Sequence, residues 1–417
     1  MMRRIKAAYK DEFFRHNAVF FVGSMLVAVL NYLYHPIVSR MLTVEQFGEV
    51  QAYLSIAMQF TVVAGVFGMV VLNIKANHDE AKKSESTEQN SLIAQLYTLS
   101  MGLMVVISAL LLAASPYLTH GLALSTSSGL FIVVGILLLS TSQTFANFHL
   151  QAEKFFAKVS ISGIIASLGK IVFSVLFIYL GFSVAGALAG YLVATFVALA
   201  YIYPKTKSTI SPSQFTWVHF TPELWRELRF GVLVLFATGF ATFLYTADII
   251  VVRYFFTEET AGLYAGIATV ARIIVFATAS VAGVAIAHVK LRQSREENHA
   301  LMRKSLVIVT LIGGCGLTLF TLFPELIMSM LMGSRFLSLA PLLPLLTLLM
   351  FAVSITNLFV MYFLALRKFV LIPVVSISGI CIAIFTFLWH SAVTHVIWDF
   401  LCGIAIALLI LIVLYVR

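Results

Sequence analysis

The chain has 417 residues, 61% hydrophobic and 11% charged, with a net charge of +9 at neutral pH. A soluble domain carries about 25% charged residues and covers its surface with polar groups, so a mean hydropathy of +1.00 over this length excludes a soluble globule. Continuous apolar runs, with no period-two alternation, also exclude a transmembrane β-barrel.

A helical membrane span needs about 20 apolar residues. Twelve segments qualify in chain order: 18–39, 50–73, 91–114, 128–149, 159–180, 184–203, 229–250, 262–285, 305–325, 337–365, 369–389 and 394–416. The expected fold is an all-α polytopic membrane protein with about 12 transmembrane helices. They form two six-helix lobes around a central cavity, residues 1–203 and 229–417, joined by a cytoplasmic linker at 204–228. The basic start MMRRIKAAYKDEFFRHN precedes a long apolar run without a small-residue cleavage signature, so it reads as a retained first span.

In the first span His35 precedes Pro36. A helix broken there would expose a polar cavity wall, and the alternative is a hydrogen-bonded core histidine. Between the first two spans lies VSRMLTVEQFGEV, an unusually polar stretch, and a similar one, VVRYFFTEETAGLY, follows the seventh span. Thr43, Glu45 and Gly48 match Thr257, Glu259 and Gly262, all at an offset of 214 residues. In each triplet Thr can cap the next helix, Glu favours its dipole and Gly permits close packing. Six spans per half would give parallel repeats related by an axis along the membrane normal.

Ionisable residues within spans cost about 2.5–3.5 kcal/mol each at a span centre, so they face a cavity or a partner. Lys170 in the fifth span and Arg272 in the eighth reach similar depths, one in each half. Together they can attract a pyrophosphate, Arg through its fork and Lys as a point charge. The alternative is that each is neutralised by a carbonyl or carboxylate of its own lobe. Asp248, in the seventh span, either binds a coupling proton or sodium ion or pairs with Arg253. Glu325 and Asp399 lie near outer span ends, where an interfacial acid is expected. In the linker, TPELWREL places Thr221 and Pro222 to start a short amphipathic helix on the membrane surface. Pro324, Pro341, Pro344 and Pro373 mark helix kinks or starts. Cys315, Cys381 and Cys402 lie in apolar segments as small hydrophobes.

Basic residues in short loops stay cytoplasmic. With the N-terminus inside, 22 of the 27 Lys and Arg residues fall in inner loops and only Arg40, Arg253 and Arg335 in outer ones. This places both termini in the cytoplasm and makes the positive charge a topology signal, with no nucleic-acid partner implied. Trp217 and Trp225, and Trp389 and Trp398, sit where interfacial anchors belong.

The run RMLTVEQFGEVQAYLSIA resembles the first signature of the polysaccharide-transporter branch of the multidrug/oligosaccharidyl-lipid/polysaccharide flippase superfamily, the Wzx type. LYTADIIVVRYFFTEETAGLYAGIATVARI and LQAEKFFAKVSISGIIASLGKIVFSVLFIYLGFSVAGALAGYLVAT resemble its seventh-to-eighth and fourth-to-sixth span regions. Thr43 departs from the family, where Gly is common. The resemblance implies a flippase that moves undecaprenyl-pyrophosphate-linked oligosaccharide, such as an O-antigen unit, to the outer leaflet of a bacterial cytoplasmic membrane. Its implied partners are that lipid-linked oligosaccharide, membrane lipids and polysaccharide polymerase machinery.

No phosphate-binding glycine loop, metal-spaced His/Cys cluster or nucleophile set is present, so no cofactor, metal or nucleotide is expected. A membrane glycosyltransferase, polymerase or ligase is the rival from another class, and the short outer loops weigh against it. A cation-coupled multidrug exporter would want acids in its cavity, whereas the two midplane charges are basic.

Overall fold

Inside a bilayer every backbone N–H and C=O must be satisfied within the chain, and an apolar run of span length does so by coiling into a helix. The computed structural model describes residues 12–78, 86–125, 127–288 and 294–416. Several of the basic residues that set the expected orientation, Arg3, Arg4, Lys6, Lys10, Lys82, Lys83, Lys290, Arg292 and Arg417, lie outside them.

The first half contains α1 (Glu12–Met41), α2 (Val44–His78), α3 (Ser86–Ala113), the short α4 (Ser115–Gly121), α5 (Ser128–Ala152), α6 (Phe156–Phe177) and α7 (Ser183–Ile210). The second contains α8 (Pro222–Phe255), α9 (Glu258–Ala271), α10 (Ile273–His288), α11 (Arg295–Leu322), the short α12 (Pro324–Leu331), α13 (Leu343–Ala365), α14 (Leu371–Leu388) and α15 (Val393–Val416). Among the described residues, eleven helical runs are long and apolar enough to cross a membrane. One of these, residues 156–210, is the pair α6 and α7. Gly181 (φ +93°) and Ser183 (φ +43°) turn the chain between them. A Cβ on Gly190 would strike the Ser174 backbone, and one on Gly186 the Phe177 backbone, so the two helices run antiparallel in close contact. Counting both members of this hairpin gives the twelve crossings expected.

Two prolines fall where a ring is tolerated, Pro324 and Pro344 in the first turns of α12 and α13. Pro36 does not break its helix. α1 continues to Met41, and the Pro36 carbonyl accepts hydrogen bonds from Ser39 Oγ and Arg40 Nη1, each at 3.0 Å. The three cysteines are free thiols, and all four tryptophans are exposed.

The chain forms two compact units. The first comprises Met1–Met41, Val63–Tyr117 and Thr126–Gly231. Its core brings Val70, Val71 and Ile74 of α2 against Ile93, Leu96 and Tyr97 of α3, Phe145 and Leu150 of α5, and Ile202 of α7. Leu224 enters the same core. Thr221 caps α8 through Leu224 N (3.3 Å), as its position before Pro222 suggests. However, TPELWREL does not form a separate surface helix, because the same helix runs unbroken for 34 residues to Phe255. No proline follows Leu228 to stop it, and Leu224 anchors its start in a core.

The second unit comprises Leu42–Val62, Leu118–Ser125 and Val232–Arg417, so it draws two segments from the first half of the chain. Both copies of the repeated triplet lie in it. Thr43 and Gln46 form a reciprocal cap, Gln46 N to Thr43 Oγ1 (3.3 Å) and Thr43 N to Gln46 Oε1 (3.2 Å). Thr257 caps α9 by accepting from Thr260 N. The two glycines meet each other: a Cβ on Gly48 would stand 2.6 Å from Gly262 Cα, and one on Gly262 would strike the Val44 carbonyl. The motif therefore marks a place where α2 and α9 approach at backbone distance.

Arg253 holds the 118–125 segment in this unit. It lies in the last turn of α8, is 2% exposed, and donates to the carbonyls of Leu122 (2.8 Å), Ala123 (2.7 Å) and Glu45 (3.4 Å). Glu49 Oε1 accepts from both N and Oγ of Ser125 at 2.8 Å. Charge counting along the chain puts Arg253 in an outer loop. Its fork is instead buried at a helix end, where it satisfies the Leu122 and Ala123 carbonyls outside any helix and also reaches Glu258 Oε2 at 3.4 Å.

Candidate functional site

The four residues singled out from sequence fall into two separate groups, one per unit. In the first unit α6 carries Lys170, which is 8% exposed. Its Nζ donates to Asn31 Oδ1 at 2.8 Å and sits over two aromatic faces, Tyr34 at 4.5 Å and Tyr191 at 5.5 Å from the ring centroids. Asn31 is fixed in turn, since its Nδ2 donates to Ser167 Oγ at 3.0 Å and Ser167 donates to the Gly163 carbonyl at 2.8 Å. α1 supplies Asn31 and Tyr34, three residues apart on one helix face, and α7 supplies Tyr191.

An ammonium offers three donors, of which one is used here. Ring quadrupoles add attraction, worth up to about 2 kcal/mol when desolvated. Among the described residues no carboxylate lies within ion-pairing distance of Lys170. The group is thus a buried, pre-oriented cation with unspent hydrogen-bonding capacity. His35, the neighbour of Tyr34, is half-buried and packs edge-on against that ring at 5.3 Å. The helix expected to break at this point is continuous.

In the second unit Arg272 sits between α9 and α10 and is 7% exposed. Its Nη2 donates to Asp248 Oδ1 of α8 at 2.7 Å. Tyr264 of α9 donates its hydroxyl to Asp248 Oδ2 at 2.9 Å, and both Asp248 and Tyr264 are fully buried. The partner of Asp248 is therefore Arg272, 24 residues on, and not Arg253. The i,i+5 spacing leaves Arg253 about one and a half turns along α8, where it is committed to backbone carbonyls and Glu258.

This triad is locally neutral, so Arg272, unlike Lys170, already has a carboxylate counter-ion. The ion pair uses only one edge of the fork. Nε is buried with no acceptor among the described residues. Chemically, the triad can exchange Asp248 for another anion or accept an anion oxygen at the unspent edge.

Sequence reasoning named the charged members and missed Asn31, Tyr34, Tyr191 and Tyr264. Their signals were weak but present. Tyr264 lies two turns before Arg272 on the same helical run, and Asn31 is the one amide in an apolar stretch of α1.

Residues 14–287 match the family model described as "polysaccharide biosynthesis protein". No curated protein sequence matches the chain significantly. The solved structures similar to it include an inward-facing multidrug resistance MATE family transporter of the MOP superfamily. That structure has TM-score 0.69 and 14% identity, with 95% of this chain and 97% of that one covered. The MATE multidrug transporter DinF-BH, solved as a complex, gives TM-score 0.66 at 16% identity, covering 95% and 93%. A MOP superfamily transporter from Pyrococcus furiosus, described as having a binding pocket of reverse polarity, gives 0.60 at 16%, covering 96% and 94%. At these identities the likeness concerns the fold.

Proposed function

The chain belongs to the polysaccharide biosynthesis protein family and has the fold of MOP-superfamily transporters, and from that premise we propose that it is a flippase for a lipid-linked oligosaccharide. The cargo in this reading is an undecaprenyl-pyrophosphate-linked unit, such as an O-antigen repeat. It moves by alternating access from the cytoplasmic to the outer leaflet of a bacterial cytoplasmic membrane, with both termini cytoplasmic. A polysaccharide polymerase would take up the product.

The observation that carries this reading is Lys170. A buried ammonium without a carboxylate is costly, and stability alone does not account for it. An anionic cargo does, because a pyrophosphate supplies the missing counter-charge and the oxygens for the unspent donors. Arg272 joins in this reading as a second anchor, released from or shared with Asp248. Asp248 is then the group through which a proton or sodium ion acts on cargo binding, since neutralising it frees the guanidinium. A multidrug exporter, the function named for several fold relatives, would want a free acid beside these cations, and there Asp248 is spent on Arg272 and Tyr264.

The test compares Lys170→Met, Lys170→Arg and Arg272→Ala with the parent in a strain lacking its own flippase, with protein levels matched. We expect Lys170→Met to lower polymerised surface polysaccharide at least about tenfold, with lipid-linked units retained inside and Lys170→Arg partly active. Normal export by both Lys170→Met and Arg272→Ala would overturn the anion-site reading.

A further inference from the structure

α14 and α15 enclose a second feature, separate from Lys170 and Arg272. A cavity of about 600 Å³ is lined by Phe385, Trp389, His395, Trp398, Asp399 and Cys402. Its position near a span end suggests an exposed interfacial acid, yet Asp399 is 5% exposed, and its Oδ2 is buried without a hydrogen-bond partner among the described residues. The nearby imidazoles of His390 and His395 act on this carboxylate through space, without a hydrogen bond to it among the described residues, and each uses its Nδ1 on another group. His390 Nδ1 lies 3.1 Å from the Thr386 carbonyl oxygen, with its ring stacked on Phe255 at 4.0 Å. His395 Nδ1 lies 2.9 Å from Ser391 Oγ.

A carboxylate oxygen withdrawn from water without a hydrogen-bond donor is disfavoured, and among the described residues no Lys or Arg lines this pocket, so it favours a cation. Three of its walls are aromatic rings, whose faces attract ammonium groups. Its volume falls in the range of small-ligand sites. The source of the ammonium follows from the position. α15 is a candidate span, and Trp398, Cys402 and Ala405 along the pocket are exposed on its surface. Within a span, that surface faces acyl chains. Trp389 at the end of α14 and Trp398 in the second turn of α15 fit the headgroup level, where indoles concentrate.

We propose that the Asp399 pocket binds a membrane lipid with an ammonium headgroup, such as phosphatidylethanolamine, with the ammonium on Asp399 and the upper acyl chains along α15. Such a site would tie the second unit to the lipid composition of its bilayer, whatever cargo the protein moves.

The experiment uses the full chain purified in mild detergent. Bound lipid is read by native mass spectrometry during titration with phosphatidylethanolamine, phosphatidylglycerol or free ethanolamine. We expect phosphatidylethanolamine to be retained about tenfold more tightly than phosphatidylglycerol, which shares the glycerophosphate and lacks the ammonium. Free ethanolamine should compete only at far higher concentration, and Asp399→Asn should abolish the preference at unchanged thermal stability. Should Asp399→Asn fail to fold, Trp398→Leu, which alters only an exposed side chain, must weaken the preference. Equal retention of the two lipids, or a preference that survives both substitutions, overturns the proposal. Free ethanolamine binding as tightly as the lipid overturns the lipid as the source.

Discussion

Breaking the buried pair Asp248–Arg272 gives the sharpest test of how the second unit is built. Removing Arg272 as Arg272→Ala leaves Asp248 fully buried, with one oxygen still held by Tyr264 and the other without its counter-ion. Removal of one partner of a buried pair costs about 3–5 kcal/mol, because a charge is left uncompensated. Asp248→Ala has a similar cost, since Arg272 then keeps no acceptor on either edge. The double variant carries neither stranded charge and should lose much less than the sum. With unit charges about 4 Å apart worth roughly 4 kcal/mol at an effective dielectric constant of 20, we expect a coupling of about 2–4 kcal/mol. The assay is a double-mutant cycle on equilibrium unfolding in detergent, followed by tryptophan fluorescence. Additivity of the two single losses to within about 0.5 kcal/mol, the behaviour of independent sites, would refute the pairing.

Three further outcomes follow from other parts of the fold. Arg253→Ala leaves the carbonyl of buried Leu122 without its donor and removes a second bond, to the Ala123 carbonyl. It should cost about 1–3 kcal/mol and raise proteolysis in the 118–125 segment, which limited digestion with mass spectrometry reads out. Gly262→Ala forces a methyl group into the Val44 carbonyl, a backbone atom that cannot swing aside, so a loss of about 1–3 kcal/mol is expected. Its control is Gly65→Ala in mid-α2, where nothing lies within 4 Å of the new Cβ; there helix propensity should stabilise by up to about 1 kcal/mol, and thermal unfolding compares the two. Lys170→Met removes a buried charge that has no carboxylate, and against this leaves Asn31 Oδ1 unpaired at a cost of about 1–3 kcal/mol. The stability of Lys170→Met should therefore stay within about 1 kcal/mol of the parent while export falls, and a large destabilisation would assign Lys170 a structural role.

The site was partly legible in advance. Lys170, Arg272 and Asp248 stand out because an ionisable residue in an apolar span is rare and expensive wherever the helix packs. Which of them is neutralised was not legible. Asp248 has Arg253 five residues away and Arg272 twenty-four away, and sequence distance favoured the wrong one. The helical turn decides otherwise: α8 and α9 fold back on each other so that Asp248, Tyr264 and Arg272 share one level. The aromatic wall around Lys170 was hidden for a related reason. In a chain with 15 tyrosines and 35 phenylalanines, no single ring draws attention until two of them flank the same ammonium. Asp399 shows the reverse error, a residue near a span end that burial between α14 and α15 withdraws from water.

Local composition was enough to set the solvent, the secondary structure and the count of crossings. Apolar runs of span length in a bilayer have only the helix to satisfy their backbone, and the T-x-E-x-x-G repeat announced two capped helix starts. Other features emerged only once the helices were packed. The glycines of the two repeats touch, Arg253 is buried on backbone carbonyls, and of the two cations within spans Arg272 has a carboxylate while Lys170 has none among the described residues. Those are contacts between residues tens to hundreds of positions apart. They depend on which helix faces meet, and no local propensity encodes that.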